Sequence, residues 1–198
     1  MEKRILVTGF GPFGEEICNP SLEAVRALPD RAGDALILKE ELPVLFGGGG
    51  DRLLALIEKL RPDAVLGTGL AAGRKALTPE VIAVNLKNAC IPDNQGMQPL
   101  WEKIRDGGPD GIFSRMDVRK AVFSLQKAGI PAELSFSAGT FVCNEVMYRL
   151  LETDLPGGFV HVPCAEEFPQ RKETFALPIK MITERLEICI RELSHACF

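Results

Sequence analysis

An α/β fold with a largely parallel sheet is predicted by three observations. Short apolar runs at residues 4–8, 35–42, 63–68 and 158–163 alternate with segments of helical periodicity, the pattern of repeated strand–helix–strand units. Most of these runs carry apolar residues in succession rather than in alternation, as strands covered on both faces do. A chain of 198 residues that is 46% hydrophobic is large enough for one such core, so residues 1–198 are expected to form one domain.

The elements follow in order. Residues 4–8, Arg-Ile-Leu-Val-Thr, read as a buried strand, and the glycines and phenylalanines at 9–14 as a loop. Asn19 caps a helix with Pro20 in its first turn and Leu22, Val25 and Leu28 on one face. Residues 35–42 form a second strand. The glycines at 47–50 read as a flexible loop, with Asp51 capping a helix that ends near Leu60. Residues 63–68 are the third strand, 69–80 a surface loop at its end, and 81–84 a short strand. Residues 87–115 lack periodicity and read as a functional loop, a lid or a contact surface. Asp117 opens a helix reaching Lys127, with Val118, Ala121, Val122 and Leu125 on one face, and Gly129 ends it. Residues 132–136 read as a strand, 144–151 as a helix, 158–163 as a strand, and 177–193 as a final amphipathic helix.

Composition excludes several functions. The net charge of −4 argues against nucleic acid or an anionic membrane as the main partner. No apolar run is long enough to span a bilayer. The N-terminus has no signal-peptide pattern, so a cytoplasmic location is expected. The cysteines (Cys18, Cys90, Cys143, Cys164, Cys189 and Cys197) include no CxxC pair, and there are only two histidines. Neither a disulfide framework nor a metal site is expected.

Three motifs bear on chemistry. Gly9-Phe-Gly11-Pro-Phe-Gly14 has the spacing of a dinucleotide loop, but Pro12 interrupts it and the helix starts only at Asn19–Pro20. Phe10 and Phe13 suggest instead an apolar clamp for a small flat ring, or two core aromatics under a loop. The glycines at 47–50 lack the Lys-Ser/Thr of a phosphate loop. Cys143, in Ser137-Ala-Gly-Thr-Phe-Val-Cys-Asn144, falls between a predicted strand and a predicted helix. A helix N-terminus favours thiolate, the nucleophilic form of cysteine. His161 lies on the strand after that helix, within plausible reach in a strand–helix–strand unit. His195 is a poor catalyst because it sits near the chain end. A third group would have to orient the imidazole, and spacing leaves both Asp93 and Glu80 open.

These residues resemble a known family. The segment around Cys143 is similar to the cysteine signature of the pyroglutamyl peptidase I family, and Gly158-Phe-Val-His-Val-Pro163 to its histidine segment. Gly73-Arg-Lys-Ala-Leu-Thr-Pro-Glu80 resembles its glutamate segment. Thr8-Gly-Phe-Gly-Pro-Phe-Gly14 with Asn19-Pro-Ser21, Ile91-Pro-Asp-Asn94, Gly108-Pro-Asp with Phe113-Ser114, and Ala128-Gly-Ile-Pro-Ala132 match in the same order. The resemblance implies a three-layer α/β/α sandwich with a mostly parallel mixed sheet. It implies a cofactor-free cysteine omega-peptidase that removes an N-terminal pyroglutamyl residue from blocked peptides through a thioester. Cys143 would be the nucleophile, His161 the base and Glu80 its orienter. Phe10, Phe13, Asn19, Leu70, Ile91, Phe141 and Val142 match positions at the family's lactam pocket. A homotetramer or homodimer is also implied.

The sequence departs from the family at three places. Leu70 stands where a glutamine is usual, Cys90 where an arginine is usual, and Val81 where the triad glutamate is usually followed by arginine. The first removes an amide able to bond the substrate, and the second a cation beside the reacting carbonyl. The alternative expectation is therefore a relative with altered acyl specificity or little catalysis, binding a small amide or peptide N-terminus.

Overall fold

The computed structural model describes residues 2–168 and 175–195; Cys197 and the side chain of His195 lie outside the described residues. The strands are β1 (Arg4–Phe10), β2 (Arg31–Ala32), β3 (Ala35–Leu42), β4 (Ala64–Leu70), β5 (Thr78–Pro79), β6 (Ile82–Val84), β7 (Gly111–Phe113), β8 (Gly157–Val162), β9 (Cys164–Ala165) and β10 (Ala176–Leu177). The helices are α1 (Pro20–Arg26), α2 (Gly48–Leu60), α3 (Val118–Lys127), α4 (Val142–Leu151) and α5 (Ile179–His195). A six-stranded mixed sheet has the order β2-β3-β1-β4-β8-β5. The β1–β3, β1–β4 and β4–β8 pairs are parallel, and short antiparallel strands close both edges.

Side-chain alternation divides the core into two. Ile5, Val7, Leu66, Val160 and Val162 face one side of the sheet, against apolar residues of α1, α3 and α5. Leu6, Phe10, Val65 and Phe159 face the other, against α2 and α4. The layers are therefore α1/α3/α5, sheet, and α2/α4, as expected. Strict alternation along β8 puts His161 on the same side as Phe159, the side that carries α4.

Two predicted features differ. Residues 132–136 are not a strand. They run extended beside 77–81 and make only isolated bridges, Leu77 with Ala132 and Glu80 with Ser135. No strand leads into α4, so His161 is placed through β4, where it pairs with Gly69. The glycines at 47–50 are not a flexible loop either: α2 begins at Gly48. A Cβ on Gly49 would stand 3.1 Å from both the Pro43 carbonyl and Val146 of α4. The close approach of α2 to α4 requires the missing side chain and overrides glycine's helix penalty of roughly 1 kcal/mol.

The short strand near 82–84 belongs to a separate two-stranded sheet with β7. Within 87–115, Asp93 organises the chain. Its buried carboxylate accepts from the backbone N–H groups of Phe46, Gln95 and Met97. Asp93 is thus a loop-building residue, and it is spent. No described helix is long and apolar enough to cross a membrane.

Candidate active site

The carboxyl ends of β1, β4 and β8 meet the N-terminus of α4, the edge where open α/β sheets bind ligands. Asn19 caps α1 through Oδ1, which accepts from Ser21 N at 3.1 Å, while Nδ2 donates to the Gly11 carbonyl at 3.1 Å. That pairing folds the 9–14 loop back over the sheet edge. Gly9 is needed for packing, since a Cβ there would lie 2.5 Å from Leu22 Cα of α1. α1 starts at Pro20, outside the glycine run, and its first turn packs directly on Gly9, so the dinucleotide-like spacing serves a close strand–helix contact.

The N-terminus of α4 is pinned by buried polar contacts. Asn144 accepts from Val84 N at 2.9 Å and donates to the Val84 and Leu86 carbonyls at 2.8 and 3.1 Å. Glu145 accepts from Gly47 N through both oxygens, at 3.1 and 2.9 Å. Phe141 provides no side-chain cap, so the first N–H groups of α4 keep their donors. Cys143 lies in this first turn. Its Sγ stands over Gly69, 2.9 Å from where a Cβ on that glycine would be.

Gly69 is the register partner of His161, and Thr78 of β5 faces His161 from the other side. His161 Nδ1 and Glu80 Oε1 are 2.7 Å apart. Both side chains are buried, Glu80 at 0% and His161 at 4% exposure. Burial pushes the Glu80 carboxyl up, but the hydrogen bond and charge of His161, with Ser135 and Arg74, outweigh it and hold the group below its ordinary range. Burial lowers His161 more than Glu80 raises it, so the imidazole is neutral near pH 7. A carboxylate only accepts, so Nδ1 carries the proton and Nε2 is left as the base.

The thiolate expectation is corrected. Burial, then the charge of Glu80, push the Cys143 thiol up to about 12 despite the helix start and Arg74. The half-buried sulfur is a thiol at rest and needs a base to ionise it.

Cys143 opens onto a cavity of about 260 Å³, at the small end for ligand sites. All seven residues expected at the pocket line it: Phe10, Phe13, Asn19, Leu70, Ile91, Phe141 and Val142. Val44 and Ala72 also line it and had no distinguishing signal in the sequence. Phe13 packs edge-on against Phe141 at 5.5 Å, and Phe141 against Phe46 at 5.1 Å. Phe10 is buried and meets Phe159 at 6.4 Å, so Phe10 and Phe13 wall the cavity from different aromatic contacts. No Asp, Glu, Lys or Arg lines this cavity, which suits a neutral ligand.

Arg74 was not singled out in the sequence. It donates to Glu80 Oε1 at 2.7 Å, to Thr78 Oγ1, and to the Ser137 carbonyl at 3.1 Å. Its adjacency to Glu80 depends on the turn at 71–74 and on β5, which no periodicity reveals. Cys90 is exposed and does not line the cavity, and Val81 is half-buried. Among the described residues no cluster of His, Cys, Asp and Glu has the makings of a metal site.

Comparison with known proteins points to one family. The sequence model of the Pyroglutamyl peptidase family matches residues 3–195. A pyrrolidone-carboxylate peptidase of Bacillus velezensis is 41% identical over 195 residues, covering 95% of this chain and 91% of the relative. One from Thermococcus kodakarensis is 42% identical over 95% of this chain and 94% of the relative. The crystal structure of Bacillus amyloliquefaciens pyroglutamyl peptidase I superposes with a TM-score of 0.94 at 39% identity, covering 98% of both chains. The pyrrolidone carboxyl peptidase of Thermococcus litoralis superposes with 0.92 at 32% identity, covering 98% of this chain and 94% of that one.

Proposed function

The chain belongs to the pyroglutamyl peptidase family, and from that premise we propose that it is a cysteine hydrolase that removes N-terminal pyroglutamate from peptides, with Cys143, His161 and Glu80 as its triad. The observation that carries the assignment is the buried His161–Glu80 pair at 2.7 Å, in register with the glycine over which the Cys143 sulfur stands, beside an uncharged cavity.

The chemistry follows from these groups. The pyroglutamyl ring enters the cavity between Phe13, Phe141 and Leu70. His161 Nε2 takes the thiol proton as Sγ attacks the acyl carbonyl. The carbonyl electron pair moves onto oxygen, where the N–H groups at the start of α4 stabilise it. The C–N bond breaks, the imidazolium proton goes to the leaving amine, and a thioester remains. Water, deprotonated by His161, hydrolyses the thioester and regenerates the thiol. Glu80 orients the imidazole and balances its charge.

A fluorogenic pyroglutamyl amide tests this reading. Turnover in the wild type and its loss in Cys143→Ser are expected. Turnover retained in Cys143→Ser would overturn the assignment. A second reading, a different preferred acyl group, is favoured by Leu70 in the cavity wall. It predicts no pyroglutamyl turnover although iodoacetamide labels Cys143 faster than the other cysteines.

We also infer a cytoplasmic homo-oligomer, a dimer or tetramer. Met97, Leu100 and Trp101 of the 87–115 segment are 49%, 68% and 79% exposed, a clustering in sequence suited to contact with another copy. Light scattering on the purified chain tests it, and a monomer would refute it.

A further inference from the structure

Arg74 holds together two parts of the site that the chain delivers separately. Glu80 arrives from β5, and Cys143 from the loop that passes through Ser137. One nitrogen of the guanidinium bonds Glu80 Oε1, the same oxygen that meets His161 Nδ1. The other bonds the Ser137 carbonyl, which also accepts from Ser135 Oγ at 3.2 Å. The Arg74 side chain is 29% exposed while Glu80 is fully buried, so the cation closes the site from its outer face. Thr78, bonded to the same guanidinium nitrogen, lies opposite His161 in the register.

We propose that Arg74 is a positioning residue of the hydrolysis, a cationic clamp that fixes Glu80 relative to the loop leading into Cys143. The proposal rests on the triad reading above. Two consequences separate it from an ion pair that merely stabilises the fold. The first is geometric: two separate guanidinium nitrogens reach Glu80 and the Ser137 carbonyl, whereas lysine carries its donors on a single, shorter-reaching nitrogen, so it replaces the charge but not the span of the bridge. The second is electrostatic. The charged or titratable groups near the imidazole are Glu80 beyond β5, Cys143 on α4 and Arg74 itself; β4 offers Gly67 and Gly69, which carry none. Lys75 and Glu133 share the outer groove beside Arg74. The positive charge of Arg74 disfavours protonated His161 and favours ionised Cys143. Removing it raises the pH at which either group loses its proton. His161, as the base, governs the acidic limb of kcat/KM, so the limb moves to higher pH.

The experiment compares wild type, Arg74→Met, Arg74→Gln and Arg74→Lys by pH-dependent kinetics on a pyroglutamyl amide. Active sites are counted by iodoacetamide and folding is checked by thermal melting. For Arg74→Met and Arg74→Gln, kcat per active site should fall about 10- to 100-fold with KM changed less than about 3-fold, and the acidic limb should rise by roughly 0.5–1 pH unit. Arg74→Lys should return the limb to the wild-type position while recovering only part of kcat. Lower melting temperature with unchanged kcat per active site and an unmoved limb would overturn the proposal. So would full recovery of kcat by lysine, because the bridge would then be dispensable. If Arg74→Met fails to fold, Arg74→Gln and Arg74→Lys carry the same readouts. Retained activity in Cys143→Ser would instead break the triad reading, while an inactive Cys143→Ser with wild-type behaviour in the Arg74 variants breaks only this inference.

Discussion

Gly69→Ala tests where the proposed nucleophile, Cys143, sits. An added methyl would lie 2.9 Å from Cys143 Sγ and 3.0 Å from Phe159 Cζ. Ordinary contact begins near 3.4 Å, so the sulfur or the ring must retreat by about 0.5 Å. The ring has no easy way out, since Phe159 is fully buried and packs 5.0 Å from the His161 ring, so the half-buried sulfur gives way toward the cavity it opens onto. Displacing a reacting group by about 1 Å costs on the order of 100-fold, so half that displacement predicts a loss in kcat of roughly tenfold. Overpacking costs about 1–3 kcal/mol, and each kcal/mol is worth about 2–4 °C in melting temperature for a chain of this size. Gly67→Ala is the matched control. Its methyl would meet Phe159 Cδ2 at 2.5 Å but no atom of Cys143 among its nearest neighbours. It should cost more stability and less kcat than Gly69→Ala. The assay combines kcat per active site, the rate of Cys143 alkylation, and thermal melting. Wild-type kcat and alkylation in a folded Gly69→Ala protein would refute the placement of the sulfur.

Other consequences follow from the same contacts. Because burial holds His161 below its ordinary value, its neutral, base-competent form should survive below pH 6.5; a kcat/KM acid limb at or above 6.5 would contradict this. Asn144→Ala leaves the Val84 N–H and the Leu86 carbonyl without their partners, while the Val84 carbonyl keeps the Leu86 N–H, so it should cost roughly 2 kcal/mol in urea melts and lower kcat by loosening α4. Asp93→Ala orphans three backbone N–H groups and releases the segment carrying Ile91, so KM should rise several-fold more than kcat falls. Leu70→Gln puts an amide in the cavity wall; one added hydrogen bond of about 1 kcal/mol should lower KM for a pyroglutamyl amide roughly fivefold.

Local chemistry made much of this protein legible. Successive apolar residues marked the buried strands, Asn19–Pro20 and Asp117 marked helix starts, and Phe10, Phe13, Asn19 and Ile91 came with the family's motifs. What misled was local as well. Residues 132–136 have strand-like composition, yet they pair only with the short 77–81 stretch at the sheet edge and never form a ladder. The glycines at 47–50 have loop composition, yet packing against α4 makes them helical.

From the sequence by itself came the layered α/β architecture, the nucleophile and base candidates, and, through the ordered motifs, the identity of the pocket wall. The first two follow from periodicity and residue chemistry along the chain, and the pocket wall from the family resemblance. The tertiary structure decided the rest. It spent Asp93 on its loop, paired Glu80 with His161, brought Arg74 onto both Glu80 and the cysteine loop, and turned Cys143 from an expected thiolate into a half-buried thiol. The physical reason is the same in each case. Desolvation and charge depend on which groups surround a side chain in space, and those neighbours come from stretches far apart in the chain.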